Sequence, residues 1–374
     1  MKVLYDHQVF EFQNIGGISR YFMELIKHNP AAQLSLKYSD NIYLNDEFFR
    51  KYNLLSKDYE YVKFLPHYNF RGKRRLFRYY NKFILGNRTN IELSKEAVNI
   101  SDFEIFHPTY YNPYFLRYLN GRPFVLTVHD MIHEMFPDYF PGSDTSKNKK
   151  KLIHKAKEII AVSKTTKNDL LRFYPDIEHK VKIVYHGFFS GKIITEFKTK
   201  ENYLLFTGSR GGYKNFNVFI ESIALLLKKY DLRLICTGQP FDKKEIALLE
   251  YFNISDRVAC CFVSDEELIT LYAKAIAFIF PSLYEGFGIP VLESFAAGCP
   301  AILSNVSSLP EIGGHGAAYF DPYSVDDIRS VIEKVITSEN LQKTLIKNGR
   351  ERIKKFSWEK CVKETMDVYY MAMS

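Results

Sequence analysis

At 374 residues the chain exceeds what one hydrophobic core usually organises, so two domains are expected. An apolar fraction of 46% with 25% charged residues argues against a disordered chain, and five cysteines with no C-x-x-C pair exclude a zinc knuckle or a disulfide framework. The formal charge of +8 suits an anionic partner (a phosphorylated ligand, anionic lipid or nucleic acid) without choosing among them.

The N-terminus has no apolar signal region, and no run approaches the ~18 apolar residues of a membrane span. The expectation is a cytoplasmic protein, peripheral at most on the inner face of the cytoplasmic membrane. The first strand is predicted at residues 2–5. A turn at Gly16-Gly17 follows, and 19–27 reads as a helix because Ile18, Phe22 and Leu25/Ile26 share one stripe. Strand, glycine turn and helix form the opening of a doubly wound sheet. Further strands are predicted at 104–106, 124–128, 158–162 and 182–185, with helical patterns between several of them, which argues for a parallel sheet. The rhythm is lost over 188–200, read as a linker. A second series starts at 203–206, followed by Gly208, Gly211 and Gly212, a helix over 216–230, and strands at 233–236, 277–280 and 301–303.

Open α/β sheets bind ligands at the C-terminal ends of their strands, near the point where strand order reverses. Two such sheets facing each other place two binding edges across one cleft. The most informative stretch runs from Pro281 to Glu293. It follows an apolar strand, and Pro290 suits the first turn of a helix, where its missing N–H costs nothing. Glu285 is therefore expected in the loop and Glu293 in the helix. Gly286 and Gly288 let backbone N–H groups approach a ligand, and the helix N-terminus favours phosphate. Two carboxylates accept hydrogen bonds from several hydroxyls, as a sugar and a ribose offer. A capping acid and a surface acid would give the same residues.

The spacing of Glu285 and Glu293 within PSLYEGFGIPVLE, followed by SFAAGCP, resembles the retaining GT-B glycosyltransferases of family 4. Gly208-Ser209-Arg210 with Lys214-Asn215 is similar to that family's diphosphate-binding loop, and VSDEEL from Val263 to the segment beside the nucleotide base. Ser308-Leu309-Pro310-Glu311 and Phe356-Ser357-Trp358 also match. Gly16-Gly17-Ile18 and His129-Asp130 fit the glycine loop and histidine of the acceptor domain. The matches run from residue 3 to about 360. The resemblance implies two Rossmann-like α/β domains facing each other across a cleft, 1–190 for the acceptor and 201–355 for the nucleotide sugar; a helix is expected over 356–374, and whether it packs back on the first domain is left open by the sequence. It implies roles as well. Glu285 would hold donor-sugar hydroxyls and Glu293 the ribose. Arg210 and Lys214 would neutralise the diphosphate, Gly17 would let the backbone approach it, and His129 would sit beside the reacting sugar. Gly16, Gly208, Val263, Gly286, Phe287 and Gly288 complete the donor-binding set. No cofactor and no metal ligand are implied, and the lack of a D-x-D pair disfavours the metal-dependent alternative fold.

Two other readings stay open. A sugar-diphosphate epimerase would share the fold but hydrolyse or isomerise its substrate without an acceptor. A basic nucleic-acid-binding protein is suggested by 63–88, which interleaves basic and aromatic residues and carries no acid, yet no recognised nucleic-acid motif accompanies it. The expected partners are a nucleotide diphosphate sugar and a glycan or lipid-linked acceptor, with no nucleic acid. The same 63–88 segment is a candidate for an anionic membrane surface. The early YDHQVFEFQNIGGISRYF run is similar to bacterial mannosyltransferase-type members. GDP-mannose is therefore the first expectation for the donor and a UDP-hexose the second, with surface polysaccharide, including lipopolysaccharide O-antigen, as the expected product class.

Overall fold

The structure, a computed structural model, describes residues 1–44, 46–56, 64–66, 68, 70, 72–80, 88–188 and 200–374. The stretch 189–199, most of the expected linker, and much of the basic segment lie outside the described residues.

The first half carries two three-stranded parallel sheets. One has the order β2-β1-β3, with β1 (Val3–Tyr5), β2 (Ala32–Leu34) and β3 (Ile105–His107). The other has the order β4-β5-β6, with β4 (Val125–Val128), β5 (Glu158–Ala161) and β6 (Val181–Ile183). A parallel bridge between Phe106 and Phe124 joins the two, so the strands run β2-β1-β3-β4-β5-β6. The second half forms one six-stranded parallel sheet of order β12-β11-β10-β7-β8-β9. Its strands are β7 (Tyr203–Phe206), β8 (Arg233–Thr237), β9 (Val258–Cys261), β10 (Ala277–Phe280), β11 (Ala301–Ser304) and β12 (Ala317–Phe320).

Parallel strands covered on both faces need continuous apolar runs, and the central strands have them. All residues of β7 and β10 are buried, and burying each of their large side chains stabilises the fold by about 1.5–3 kcal/mol. Strand order reverses between β1 and β3 in the first half and between β7 and β10 in the second. The loops after these strands therefore diverge and open a crevice.

The helices that bear on the site are α1 (Gly17–Lys27), α2 (Lys73–Tyr79), α3 (Lys164–Phe173), α4 (Phe216–Lys229), α5 (Asp265–Lys274), α6 (Ile289–Ala296) and α7 (Trp358–Met373). Ser163, Ser264 and Ser357 cap α3, α5 and α7 with their own side chains. α1 and α6 begin instead at Gly16 and Gly288, which have no side chain to cap with, and at α1 the Ser19 N–H donates to Gln13 Oε1 at 3.1 Å. Gly288 has φ of 99°, a left-handed conformation that glycine adopts without a Cβ penalty.

α7 returns to the first half. Trp358, Cys361, Val368, Tyr369 and Ala372 share a core with Val3, Tyr5, Tyr21 and Phe22. The Tyr369 hydroxyl lies 3.0 Å from that of Tyr5 and 2.6 Å from His107 Nδ1.

Candidate active site

The two halves enclose a cleft of about 540 Å³, within the size range of small-molecule sites. Its wall from the first half contains Gly16, Gly17 and Arg20 of α1, then His129 and Asp130 after β4, and His186 after β6. The wall from the second half contains Gly208 and Lys214 after β7, Val263 and Asp265 at the start of α5, and Glu285 to Pro290 with Glu293 after β10. Gly17 and Gly288, at the starts of α1 and α6, both line it. The positive ends of the two helix dipoles therefore face whatever enters.

At the strand-order reversal of the second sheet, Lys214 Nζ donates to Glu285 Oε1 at 2.6 Å. Burial pulls the Lys214 pKa down, but the Glu285 carboxylate and Tyr213 hold it above the ordinary lysine value. The Glu285 loop is held by serines from the loop after β11. The Glu285 N–H donates to Ser307 Oγ at 3.0 Å, and Ser308 Oγ donates to the carbonyls of Glu285 and Phe287. Deeper along α6, Glu293 accepts from the Tyr272 hydroxyl at 3.3 Å and stands 3.9 Å from Arg20 NH1. Burial raises the Glu293 pKa, and Arg20 offsets part of that rise.

The same loop is fastened to the first half. Ser163 Oγ and Thr166 Oγ1, at the start of α3, donate to the Gly286 carbonyl at 2.7 and 3.1 Å. The Tyr284 hydroxyl donates to Asp169 at 2.8 Å and accepts from the Met131 N–H at 3.2 Å. Gly286 packs so closely on the His129 carbonyl that a Cβ there would overlap it. Glu311 accepts from the N–H groups of Lys164 and Thr165 at 2.8 and 3.0 Å, so a carboxylate of the second half caps a helix of the first.

His129 and His186 stack, with centroids 5.7 Å apart and planes 12° from parallel. Burial drives both pKa values down, that of His186 to about 3. Neither His129 ring nitrogen, nor His186 Nδ1, has a hydrogen-bond partner among the described residues.

The structure thus brings Glu285, Glu293, Lys214, His129, Gly16, Gly17, Gly208, Val263, Gly286, Phe287 and Gly288 to one cleft. It does not bring Arg210 there. That guanidinium donates to Glu245 Oε1 at 2.7 Å and to the carbonyls of Gln239 and Pro240, and lies over the Phe241 ring. The expectation of a second cation beside Lys214 is corrected on this point: the Arg210 side chain ties the β7 loop to the β8 loop and is 9% exposed. Arg20, Tyr43 and His186 line the cleft and were not singled out from the sequence. Arg20 had a readable signal, since it lies three residues beyond Gly17 on one helix face.

The sequence matches the family described as Glycosyltransferase Family 4 over residues 15–188 and that described as Glycosyl transferases group 1 over 192–352. It is 28% identical over 298 residues to O-antigen chain mannosyltransferase B of Escherichia coli, covering 74% of this chain and 77% of that one. It is 29% identical over 210 residues to the O-antigen chain mannosyltransferase RfbU of Salmonella typhimurium, covering 54% of this chain and 59% of that relative's length. Among solved structures, HepE of Anabaena in complex with UDP-glucose superposes with a TM-score of 0.72 at 14% identity, over 98% of this chain and 99% of that one.

Proposed function

The chain belongs to the glycosyltransferases, matching family 4 in its first half and group 1 in its second, and has their GT-B fold; from that membership we propose that it transfers a hexose, with retention of configuration, from a nucleotide diphosphate sugar to a glycan or lipid-linked glycan acceptor. GDP-mannose is the first choice of donor and a UDP-hexose the second. The likeness to O-antigen chain mannosyltransferases supports mannose and a surface polysaccharide product. The neighbour solved with UDP-glucose keeps the alternative donor in play.

The observation that carries this reading is the pairing of Lys214 with Glu285 at the strand-order reversal, in a cleft that the N-termini of α1 and α6 also line. In glycosyl transfer the bond from the sugar carbon to the diphosphate oxygen breaks as the bond to the acceptor oxygen forms. The sugar becomes oxocarbenium-like and the leaving group gains negative charge. Lys214 and the two helix N-termini meet that charge as it develops. Glu285 holds the sugar hydroxyls, Glu293 holds the ribose, and the departing phosphate oxygen takes the acceptor proton. Charge is met by the chain's own groups in this reading, so no metal ion is required and a chelator leaves turnover unchanged.

A thermal-shift screen of GDP, UDP and their sugar conjugates tests the donor, followed by a transfer assay with the conjugate that binds. Stabilisation by no nucleotide sugar would overturn the proposal.

The segment around α2 supports a further part of the reading. Leu76, Tyr79, Tyr68 and Phe70 are exposed beside an exposed Arg75. We propose that this surface meets an anionic bilayer carrying the acceptor, where each nearby cation contributes about 1 kcal/mol. Co-sedimentation with anionic vesicles at low salt is expected, and loss of binding when Arg74, Arg75 and Arg78 become Ser.

A further inference from the structure

Of the side chains that line the cleft among the described residues, Arg20 and Lys214 carry permanent positive charge, against the carboxylates of Asp130, Asp265, Glu285 and Glu293. Arg210 is engaged by Glu245 and two backbone carbonyls away from this surface. Lys214 alone would therefore face a diphosphate in a cleft with an excess of acid. Buried anions of that kind are held by charge-assisted hydrogen bonds, most effectively by the two-pronged fork of a guanidinium.

Arg20 stands in the first turn of α1, its N–H bonded to the Gly16 carbonyl at 3.1 Å, and so shares a helix face with Gly17. Its side chain, 21% exposed, crosses the cleft to a point 3.9 Å from Glu293 Oε1 and 6.0 Å from the Tyr43 ring centroid. We infer that Arg20 is a phosphate ligand for the donor, reaching from the first domain, and that donor binding exchanges its Glu293 contact for one to the diphosphate. The inference rests on the nucleotide-sugar reading above.

The arrangement is doubled. Lys214 lies against Glu285 as Arg20 lies against Glu293, and each carboxylate is the one assigned to hydroxyl groups. A nucleotide diphosphate sugar has both kinds of partner: phosphates in its middle, and a hexose and a ribose on either side. Exchanging two ion pairs for cation–phosphate and carboxylate–hydroxyl contacts leaves no buried charge unpartnered at either stage. Arg20 belongs to the first domain, whereas Lys214 and Glu293 belong to the second. A donor held by all three also ties the domains together.

Calorimetry separates this role from that of a simple clasp between domains. Wild type, Arg20→Met and Arg20→Lys are titrated with guanosine and GDP, and with uridine and UDP. For the base that wild type accepts, Arg20→Met should weaken nucleoside diphosphate binding about tenfold while leaving nucleoside binding unchanged or tighter. Arg20→Lys should restore part of the loss. In a Glu293→Gln background the Arg20→Met loss should persist, because a phosphate contact does not need Glu293 and a clasp does. Diphosphate affinity within twofold of wild type, equal losses for nucleoside and diphosphate, or disappearance of the loss in the Glu293→Gln background would each overturn the inference. A wild-type chain that binds neither GDP nor UDP overturns the donor reading itself.

Discussion

Lys214 Nζ and Glu285 Oε1 stand 2.6 Å apart, joining the loop after β7 to the loop after β10 where the strand order reverses. The pair fixes an ammonium and a carboxylate in one place before any ligand contact is made. In the exchange proposed above, the donor's phosphate and sugar hydroxyls replace this contact, so neither charge is left buried without a partner.

Lys214→Ala should cut turnover about a hundredfold or more, since loss of one donor to a developing anion costs roughly 3–4 kcal/mol. The far-UV spectrum should match wild type. Steady-state kinetics at saturating donor decides the matter: a variant with near-normal kcat leaves the leaving group without this partner.

Glu285→Gln and Glu293→Gln should fail differently. The first should lower kcat while the bare nucleoside diphosphate still binds. The second should weaken binding of the nucleotide itself, because the contact proposed for Glu293 is with the ribose. Equal losses of nucleotide affinity in calorimetry would sink this division of labour.

Glu293 should also report itself in stability. Burial raises its pKa above the ordinary 4.5 even with Arg20 nearby. The folded chain then binds this proton more tightly than the unfolded chain, so the ionised form costs stability. The cost is absent below the ordinary carboxylate value and complete above the raised one. Glu293→Gln should therefore melt higher than wild type at pH 7, with the difference shrinking as pH falls through that window. Melting below wild type at both ends of the range contradicts the assignment.

His129 and His186 are expected to stay neutral from about pH 5 to 8, because burial lowers both pKa values. The pH profile of kcat should show no step near 6.5. A step there that vanishes in His129→Gln or His186→Gln would mean that one of the rings is charged in the working enzyme.

At Gly286 an added Cβ would overlap the His129 carbonyl oxygen across the two halves. Gly286→Ala should therefore lose most turnover and enlarge the radius of gyration measured by X-ray scattering. Unchanged scattering together with unchanged kcat would show that the contact is not needed.

How much of this was legible in the sequence depends on where each strand lies in its sheet. β1, β3, β4, β5, β7, β8, β10 and β11 are interior strands with apolar runs, and all fall where those runs predict. β2, β9 and β12 were not anticipated, and β6 was placed about two residues late. These are the sheet edges. An edge strand is covered incompletely, as the half-buried residues of Ala32–Leu34, Val258–Cys261 and Ala317–Phe320 show, so it needs no continuous apolar run. Site residues tied to backbone geometry, such as Gly17, Gly288 and Glu285, were readable because glycine and proline mark the turns that place them. Arg210 was misjudged because the partner that draws it away, Glu245, begins a different helix. Arg20 was passed over because its counterpart, Glu293, lies in the other domain.

The return of α7 to the first core sets an order of assembly. Tyr369 bonds to Tyr5 and His107, and Trp358 packs in the same cluster as Val3 and Phe22. On a ribosome, the strands of the first domain emerge well before this helix. At ~5–20 residues per second the delay between β6 and α7 is on the order of ten seconds. Throughout that interval the growing chain holds an apolar surface formed by Tyr5 of β1 and Tyr21 and Phe22 of α1 without its cover, while the second domain is free to fold as a unit. The first half to be translated is thus the last to be completed, and nascent-chain aggregation or chaperone capture should concentrate on it.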